Sequence, residues 1–401
     1  MCKNIFYKRQ KQRLILLTGA GLTQGKDFFD ISTLSLTNQF VEYTHPDLAD
    51  DSDLIRFIYS EYCFWNKLNP SDVEKNINKI NFETILHIVE ELFSYIEDVD
   101  KTNHKSKHLN NVKTSIFRLN ARLIEYIFRV KSPKWKDFTY LFIEKIHNHL
   151  IDILIESIED KNCDKNNRGM NDFNRFIDSI FSKSSNTRRL YTLNYDTWFP
   201  NFAGYFDGFT ENRFNRSKVI QDRDVDCHYN LHGCILWNYG KVYDKLDKPE
   251  KRKHFQSSSE YTIAREAILP SPIISGYNKL SRINSSPFLE IWHSFTSDCF
   301  SGNIVIIIGY SFSDPHVNNN LRLVNSTSKV VIVVKFSQAE LNKVESSFTK
   351  IKYEVEDIFG CLFSEIRIRS GLNYTIDSDD GRVSFFIDGI GNSFYQEYSY
   401  I

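Results

Sequence analysis

Short strand-like runs, most of them apolar, occur near the start of the chain and again after about residue 185. The apolar ones have the length and composition of strands that are buried on both faces of a parallel sheet. The clearest runs are residues 14–17, 189–193, 229–231, 304–308 and 330–334. Because the carboxyl ends of parallel strands share one edge of an open α/β sheet, we expect the polar residues that follow these runs to gather there.

The pattern changes between residues 51 and 184, where apolar positions recur at three- and four-residue spacing. This spacing is the period of an amphipathic helix. Separate apolar faces fall around residues 82–96, 116–128, 138–154 and 173–180. We therefore expect an all-helical insertion over residues 51–184, within a sheet domain formed by residues 1–50 and 185–350.

The chain after residue 350 contains strand-like runs between Gly and Asp turns, including residues 366–369 and 383–387. This pattern predicts a small β-rich C-terminal appendage over residues 351–401. An exposed strand edge there would suit assembly with another chain.

The composition is that of a folded chain with a substantial core. Hydrophobic residues make up 41% and aromatic residues 14% of the 401 positions, enough for two domains or for one domain with a large insertion. The 50 basic and 51 acidic residues give a net charge of −1, which offers no electrostatic footprint for nucleic acid. The basic run at 248–254 is interrupted by Pro249 and Glu250, so we interpret it as a solvated loop.

The seven cysteines are widely scattered, and no two of them form a Cys-x-x-Cys pair. Such spacing is typical of reduced thiols, and it does not provide the paired thiolates of a zinc ribbon. The first apolar run is also too short for a signal peptide or a membrane span. We expect a cytoplasmic protein without membrane association or a bound metal. One compact alternative for a metal cluster is Cys227, His228, His232 and Cys234.

The first strand leads directly into a turn of small residues, Thr18-Gly19-Ala20-Gly21. In such a turn the backbone N–H groups can approach a pyrophosphate, whose charge the dipole of a following helix favours. Tight backbone packing would require the same small residues, so both interpretations are open at this point.

Three later segments agree with a nucleotide site: Thr192-Leu193-Asn194-Tyr195-Asp196, His232-Gly233 and Gly309-Tyr310-Ser311. Together with Gly19-Ala20-Gly21 they resemble the sirtuin-like family, in which such segments hold NAD. Tyr195-Asp196 and the run at 309–314 look more like the bacterial sirtuin-like proteins of antiphage defence. The resemblance covers the first fifty residues or so and the span from about 185 to 340, and it implies a Rossmann-like parallel sheet.

The resemblance also implies which residues contact the nucleotide. They are Gly19, Ala20, Gly21, Thr23, Asp27, Phe28, Asp196, Gly309, Ser311 and Asp314. The chain departs from the family pattern in three respects. The loop after Gly21 is shortened and lacks an arginine, the zinc ribbon is missing, and Lys335 stands where sirtuins often present an Asn to the adenosine ribose.

Two of the strand-end residues suit cleavage of the bond between nicotinamide and ribose, a reaction with an oxocarbenium-like transition state. The amide of Asn194 can orient the ribose or an attacking water, and the imidazole of His232 can accept a proton. The alternative for His232 is a core histidine that bonds a backbone carbonyl. Asp196 can anchor the carboxamide or cap the following helix.

These residues and the resemblance together predict an NAD+ glycohydrolase that releases nicotinamide and ADP-ribose. The resemblance implies that the enzyme depletes NAD+ in antiphage defence by abortive infection. Two alternatives stay open, namely an NAD-dependent protein deacylase or ADP-ribosyltransferase, and a non-catalytic NAD or ADP-ribose sensor. The resemblance further implies homo-oligomers and, in some systems, a separately encoded motor ATPase. The chain itself has no Walker-type loop and no helix-turn-helix motif.

Overall fold

The computed structural model describes residues 13–20, 33–42, 49–103, 121–131, 140–162, 187–195, 204–210, 213–234, 237–238, 253–254, 273–274, 279–284, 286–336, 340, 343–364, 375–387 and 389. The chain divides into two compact units. The sheet unit comprises Met1–Phe29, Asp164–Cys234 and Ser286–Ile401, and the helical unit comprises Asp30–Cys163 and Ile235–Ser285.

The strands and helices are numbered in chain order. The strands are β1 (Arg13–Thr18), β2 (Thr187–Thr192), β3 (Phe209–Thr210), β4 (Arg213–Phe214), β5 (Cys227–Asn230), β6 (Trp237–Asn238), β7 (Lys253–His254), β8 (Ile304–Ile308), β9 (Lys329–Val333), β10 (Thr375–Asp377) and β11 (Val383–Phe386). The helices are α1 (Thr33–Glu42), α2 (Ala49–Trp65), α3 (Val73–Asn76), α4 (Phe82–Asn103), α5 (Ala121–Lys131), α6 (Tyr140–Asn162), α7 (Arg216–Gln221), α8 (Lys279–Ile283), α9 (Phe288–Ser301), α10 (Pro315–Leu321) and α11 (Val344–Phe359).

The sheet unit is built on seven strands in the order β10-β11-β9-β8-β1-β2-β5. All neighbours pair in parallel except β10, which is antiparallel to β11. β1 lies inside the sheet between β8 and β2, and its apolar residues 14–17 are fully buried, as expected for a strand covered on both faces. The prediction of an α/β fold with a mostly parallel sheet is confirmed.

The C-terminal strands β10 and β11, within the stretch predicted as a small β-rich appendage, extend this sheet. β11 pairs in parallel with β9, and Val383 is aligned with Val330. The ring of Phe385 lies 5.0 Å from Phe348 of α11 and 5.7 Å from Phe363, centroid to centroid. The alternation of Val383–Phe386 indicates a strand, but it does not specify which neighbour the strand pairs with. Residues 366–369, predicted as another strand, lie outside the described residues.

The helical unit contains the amphipathic segments that the sequence indicated. α4 and α6 include most of the amphipathic segments predicted around 82–96 and 138–154. α5 includes the second half of the segment predicted at 116–128. The hydroxyl of Thr37 on α1 accepts a hydrogen bond of 3.0 Å from the backbone N–H of Phe82, at the start of α4. The segment predicted around 173–180 lies outside the described residues.

A buried carboxylate connects three helices of this unit. Oε1 of Glu90 on α4 accepts from Arg282 of α8 at 2.6 Å and lies 3.3 Å from Nε2 of His147 on α6. Burial favours the protonated acid, but the charge of Arg282 and the contact with His147 outweigh it and lower the pKa of Glu90. The cluster therefore stabilises helix packing. None of the described helices is both long and apolar enough to cross a membrane.

Candidate functional site

Four strands that end in predicted site residues are neighbours in the sheet, in the order β8-β1-β2-β5. Thr18 at the end of β1 is aligned with Thr192 of β2 and Ile308 of β8, and Thr192 is aligned with Asn230 of β5. Backbone hydrogen bonds continue this alignment one residue further, with N···O distances of 2.8–2.9 Å. Residues two positions beyond the aligned ends thus follow neighbouring strands at the same edge. They are Ala20, Asn194, His232 and Tyr310.

The glycine at the end of β1 is required by a close backbone approach. A Cβ placed on Gly19 would lie 2.7 Å from the carbonyl oxygen of Gly309 and 3.0 Å from the Cα of Tyr310. The backbone N–H of Gly19 donates to the carbonyl of Ile308 at 2.9 Å. Tight packing therefore explains Gly19, and its N–H is already used within the sheet. Ala20, the next residue, is exposed.

Asn194 is held through its backbone. Its N–H donates to the hydroxyl of Thr192 at 3.1 Å, and its carbonyl accepts from the side-chain amide of Asn230 at 3.3 Å. The residue is 9% exposed, yet its own side-chain amide makes no hydrogen bond to any part of the chain that the structure describes. The amide of Asn194 is thus available to a ligand at this edge.

His232 is buried beside a carboxylate and two aromatic rings. Its Nε2 lies 3.4 Å from Oδ2 of Asp314, and the residue is 5% exposed. Its ring centroid is 6.4 Å from that of Tyr195 and 6.3 Å from that of Trp292 on α9. The indole N–H of Trp292 donates to the carbonyl of Leu231 at 3.0 Å and so attaches α9 to the end of β5. These contacts restrict the orientation of the imidazole.

The segment after β8 is a folded loop in which two residues adopt left-handed backbone conformations, Gly309 at φ 63° and Phe312 at φ 58°. The strained Phe312 is held by Asn318 of α10, whose side-chain amide donates to the Phe312 carbonyl at 2.8 Å. The hydroxyl of Tyr310 donates to Asn318 at 2.7 Å. Ser311, predicted to bind NAD, is exposed and lies 2.8 Å from Ser313, hydroxyl to hydroxyl.

Asp314 has two structural contacts that the sequence analysis missed. Its Oδ1 accepts from the backbone N–H groups of His316 at 2.9 Å and Val317 at 3.4 Å, which caps α10. Its Oδ2 is the oxygen that faces His232. Asp followed by Pro315 is a helix-start signal, so the cap was detectable in the sequence. The contact of Asp314 with His232 is between residues that are far apart in the chain, so no local sequence pattern indicates it.

The remaining predicted site residues are placed as follows. Gly21, Thr23, Asp27, Phe28 and Asp196 lie outside the described residues. Lys335 follows β9 at the same edge of the sheet as the other strand ends and is exposed.

The compact metal cluster considered in the sequence is not formed. Within the described ranges, no group of three or more His, Cys, Asp or Glu side chains is arranged to hold a metal ion. Burial lowers the pKa of His228 to about 4, so this histidine is a neutral core residue. Cys227 and Cys234 are buried.

No protein-family model matches this chain, and no curated protein matches it. A function is therefore inferred from the groups at the strand ends and from the motifs that they form.

Proposed function

We propose that the edge formed by the ends of β8, β1, β2 and β5 binds NAD+ and hydrolyses its nicotinamide–ribose bond. The observation that carries this proposal is the side-chain amide of Asn194, which lacks a partner among the described residues although the residue is only 9% exposed. His232 follows the adjacent strand at the matching position. An amide and an imidazole at one sheet edge are a suitable pair for orienting and deprotonating a water molecule.

The proposed reaction breaks the bond between the pyridinium nitrogen and C1′ of the ribose. The bonding electrons leave with nicotinamide, which becomes neutral, and positive charge develops on the ribose. The amide of Asn194 orients the ribose or the incoming water. Neutral His232 accepts a proton from this water as its oxygen bonds to C1′. The products are nicotinamide, ADP-ribose and one proton, which His232 releases afterwards.

The turn after β1 is proposed to bind the pyrophosphate. The N–H of Gly19 donates to the carbonyl of Ile308 and is therefore not a donor to the pyrophosphate. The proposed contacts of Gly21, Thr23, Asp27, Phe28 and Asp196, and those of Gly309 and Ser311, rest on the family resemblance.

The test is to incubate the purified full-length protein with NAD+ at several protein concentrations and to quantify nicotinamide. We expect turnover by the wild type and at least about a 100-fold lower rate in both Asn194→Ala and His232→Ala. NAD+ binding, measured by calorimetry, should change much less than the rate. His293→Ala serves as the matched control, because His293 is exposed on α9 and its loss should leave turnover unchanged.

Three outcomes would contradict hydrolysis. Turnover that requires an acetylated peptide or another acceptor would indicate a deacylase or a transferase. NAD+ binding without turnover at any protein concentration would indicate a sensor. Full activity in both Asn194→Ala and His232→Ala would place the chemistry elsewhere in the molecule.

The biological role proposed for this reaction is depletion of NAD+ in antiphage defence, within the cytoplasm. Homo-oligomerisation and a separately encoded motor ATPase belong to the same proposal, and all of these rest on the motif resemblance. Light scattering at the protein concentrations used for turnover would relate activity to assembly.

A further inference from the structure

The order of the strands locates the middle of a ligand crevice in the sheet unit. From β1 the chain moves in one direction to β2 and β5, and it later occupies the other side of β1 with β8, β9 and β11. The strand order therefore reverses between β1 and β8. In open α/β sheets, dinucleotides bind across the crevice at such a reversal, outside the carboxyl ends of the strands. A dinucleotide at this edge would thus have one nucleotide on each side of the reversal.

The proposed hydrolysis decides which half of the dinucleotide lies on which side. Asn194 and His232 follow β2 and β5, so the nicotinamide ribose is assigned to that side of β1. The adenosine half then lies over the ends of β8 and β9. Neighbouring strands are about 4.8 Å apart, so β9 lies roughly 10 Å from β1 across the sheet. The residues that follow β9 are thus the ones to examine for a contact with the adenosine ribose.

Lys335 occupies the matching position after β9. Val333, the last residue of β9, is aligned with Ile308 of β8, and its carbonyl accepts from the N–H of Gly309 at 3.0 Å. Lys335 is therefore two residues beyond its strand end, at the level of Tyr310 on the neighbouring strand. The residue is exposed, and its ammonium group makes no hydrogen bond or ion pair with any residue that the structure describes. Its positive charge is available to a ligand.

Gly389 packs against the side chain of Lys335. The N–H of Gly389 donates to the carbonyl of Val334 at 2.9 Å, and the N–H of Phe336 donates to the carbonyl of Ile387 at 3.0 Å. The chain after β11 thus stays paired with the chain after β9. A Cβ placed on Gly389 would lie 3.0 Å from the Cβ of Lys335 and 3.3 Å from its Cγ. This close approach limits the conformations of the lysine stem.

We propose that Lys335 binds a phosphate group on the 2′-oxygen of the adenosine ribose, so that the preferred substrate of the site is NADP+. The proposal rests on the proposed hydrolysis, which sets the direction of the dinucleotide. A carboxylate accepts a hydrogen bond from a ribose 2′-hydroxyl and repels a phosphate, whereas a cation favours the phosphate. The residues at this level of the edge are Ala20, Asn194, His232, Tyr310 and Lys335, which include no carboxylate and one permanent cation.

The reaction at C1′ is unchanged by this assignment. Water replaces nicotinamide, and the products are nicotinamide, 2′-phosphorylated ADP-ribose and one proton. The 2′-phosphate is on the other ribose, so Lys335 contributes to the choice of substrate and takes no part in the chemical step.

Binding of the adenosine half tests the contact without requiring turnover. Adenosine 2′,5′-bisphosphate and 5′-AMP differ only in the 2′-phosphate, and calorimetry at low salt gives both dissociation constants for the full-length protein. We expect the bisphosphate to bind at least about 10-fold more tightly, as for a charge-assisted hydrogen bond. Lys335→Gln removes the charge and should bring the ratio of the two constants close to one. Lys335→Arg should keep the preference.

Lys329→Gln is the matched control, because it removes the same charge from the opposite end of the same strand. Lys329 begins β9, where its ammonium donates to the carbonyl of Gly381 at 2.7 Å and to the hydroxyl of Ser384 at 2.9 Å. Its loss should leave the ratio unchanged. A wild type without preference for the bisphosphate would overturn the proposal. An equal loss of affinity for both ligands in Lys335→Gln would also overturn it, and would assign Lys335 to the 5′-phosphate.

Turnover of the two dinucleotides separates this proposal from the proposed hydrolysis. We expect kcat/KM for NADP+ to exceed that for NAD+ by at least about 10-fold in the wild type, and the two to be similar in Lys335→Gln. If the bisphosphate preference depends on Lys335 but neither dinucleotide is hydrolysed, the 2′-phosphate contact is upheld and the proposed hydrolysis is wrong. If NAD+ is hydrolysed with no preference for NADP+, hydrolysis is upheld and the role of Lys335 is wrong.

Discussion

Two polar clusters of the sheet unit, one inside β2 and one just beyond its end, differ in how fully their hydrogen-bonding groups are used. Arg189, inside the strand, donates through Nε to Asp298 at 2.6 Å and through its terminal nitrogens to the carbonyl of Val225 and the hydroxyl of Ser294, both at 2.8 Å. Asn194, five residues further on, has a side-chain amide with no such partner among the described residues. Both residues are buried.

The partners of Asp298 complete the inner cluster. Its Oδ2 accepts from Arg189 and from the hydroxyl of Tyr191, and its Oδ1 accepts from Arg223 at 2.6 Å. Burial raises the pKa of Tyr191 well above its usual value, and the charge of Asp298 raises it further. The hydrogen-bonding groups of the inner cluster are occupied, so it connects β2 to α9 and has little capacity for a ligand. Both regions contain buried polar groups. The structural cluster differs from the candidate site because its hydrogen-bonding groups have protein partners.

The largest effect should come from breaking the inner cluster with Asp298→Ala. This change leaves the buried guanidinium of Arg189 without its carboxylate, which typically destabilises a protein by about 3–5 kcal/mol. Urea denaturation of the variant and the wild type measures the difference in the free energy of unfolding. A loss below about 1 kcal/mol would mean that Arg189 finds another partner and that the cluster is not structural.

Two variants provide the controls for that measurement. Asp357 pairs with Arg322 at the surface, where their side chains are 64% and 40% exposed, so Asp357→Ala should cost less than about 1 kcal/mol. Asn194→Ala should also change stability by no more than about 0.5 kcal/mol, because it breaks no side-chain hydrogen bond within the described structure. A stability loss in Asn194→Ala as large as that of Asp298→Ala would remove the distinction between the two clusters.

The pH dependence of stability should show that His228 is a neutral residue of the core. Burial lowers its pKa to about 4 in the folded protein, against an ordinary value of 6.5. As the pH falls, His228 therefore binds a proton at a higher pH in the unfolded chain than in the folded protein. The stability that neutral His228 contributes is fully present above pH 6.5 and is lost as the pH falls toward 4.

Between pH 7 and pH 5 this loss should amount to about 2 kcal/mol. Urea denaturation at both pH values, for the wild type and for His228→Gln, isolates the contribution because the carboxylates are common to the two proteins. The wild type should lose more stability than the variant over this interval. Equal losses would show that His228 is solvated or charged in the folded protein, which is incompatible with a neutral core role.

The sequence predicted the elements better than it predicted their partners. The apolar runs at 14–17 and 304–308 indicated strands covered on both faces, and the three- and four-residue spacing at 82–96 indicated α4, because burial leaves a periodic pattern. The strand ends were also placed correctly along one edge. Pairing between distant residues leaves no such pattern. Three contacts are visible only in the structure: that of Arg189 with Asp298, that of His232 with Asp314, and the pairing of β11 with β9.

The contact between the ends of β1 and β8 should contribute less to stability than the Asp298 cluster. Gly19 does not have a positive φ, so Gly19→Ala adds no conformational strain, and its whole cost comes from contact. The new Cβ would meet the Gly309 carbonyl oxygen at 2.7 Å and the Tyr310 Cα at 3.0 Å, both of them backbone atoms that cannot rotate away. The strand ends must separate, at an overpacking cost of about 1–2 kcal/mol in thermal or urea denaturation.

Gly381→Ala is the matched control for this contact. Gly381 has a φ of +68° and open space around its Cα, so alanine there costs about 1 kcal/mol of conformational strain without moving a neighbour. The two variants should thus be similar in stability and differ in turnover. Gly19→Ala should lower NAD+ hydrolysis by more than its stability loss accounts for, because it changes the spacing of the strand ends on either side of Gly19. Equal turnover in the two variants would mean that the spacing between β1 and β8 does not matter to the site, and Gly19 would then be a packing residue only.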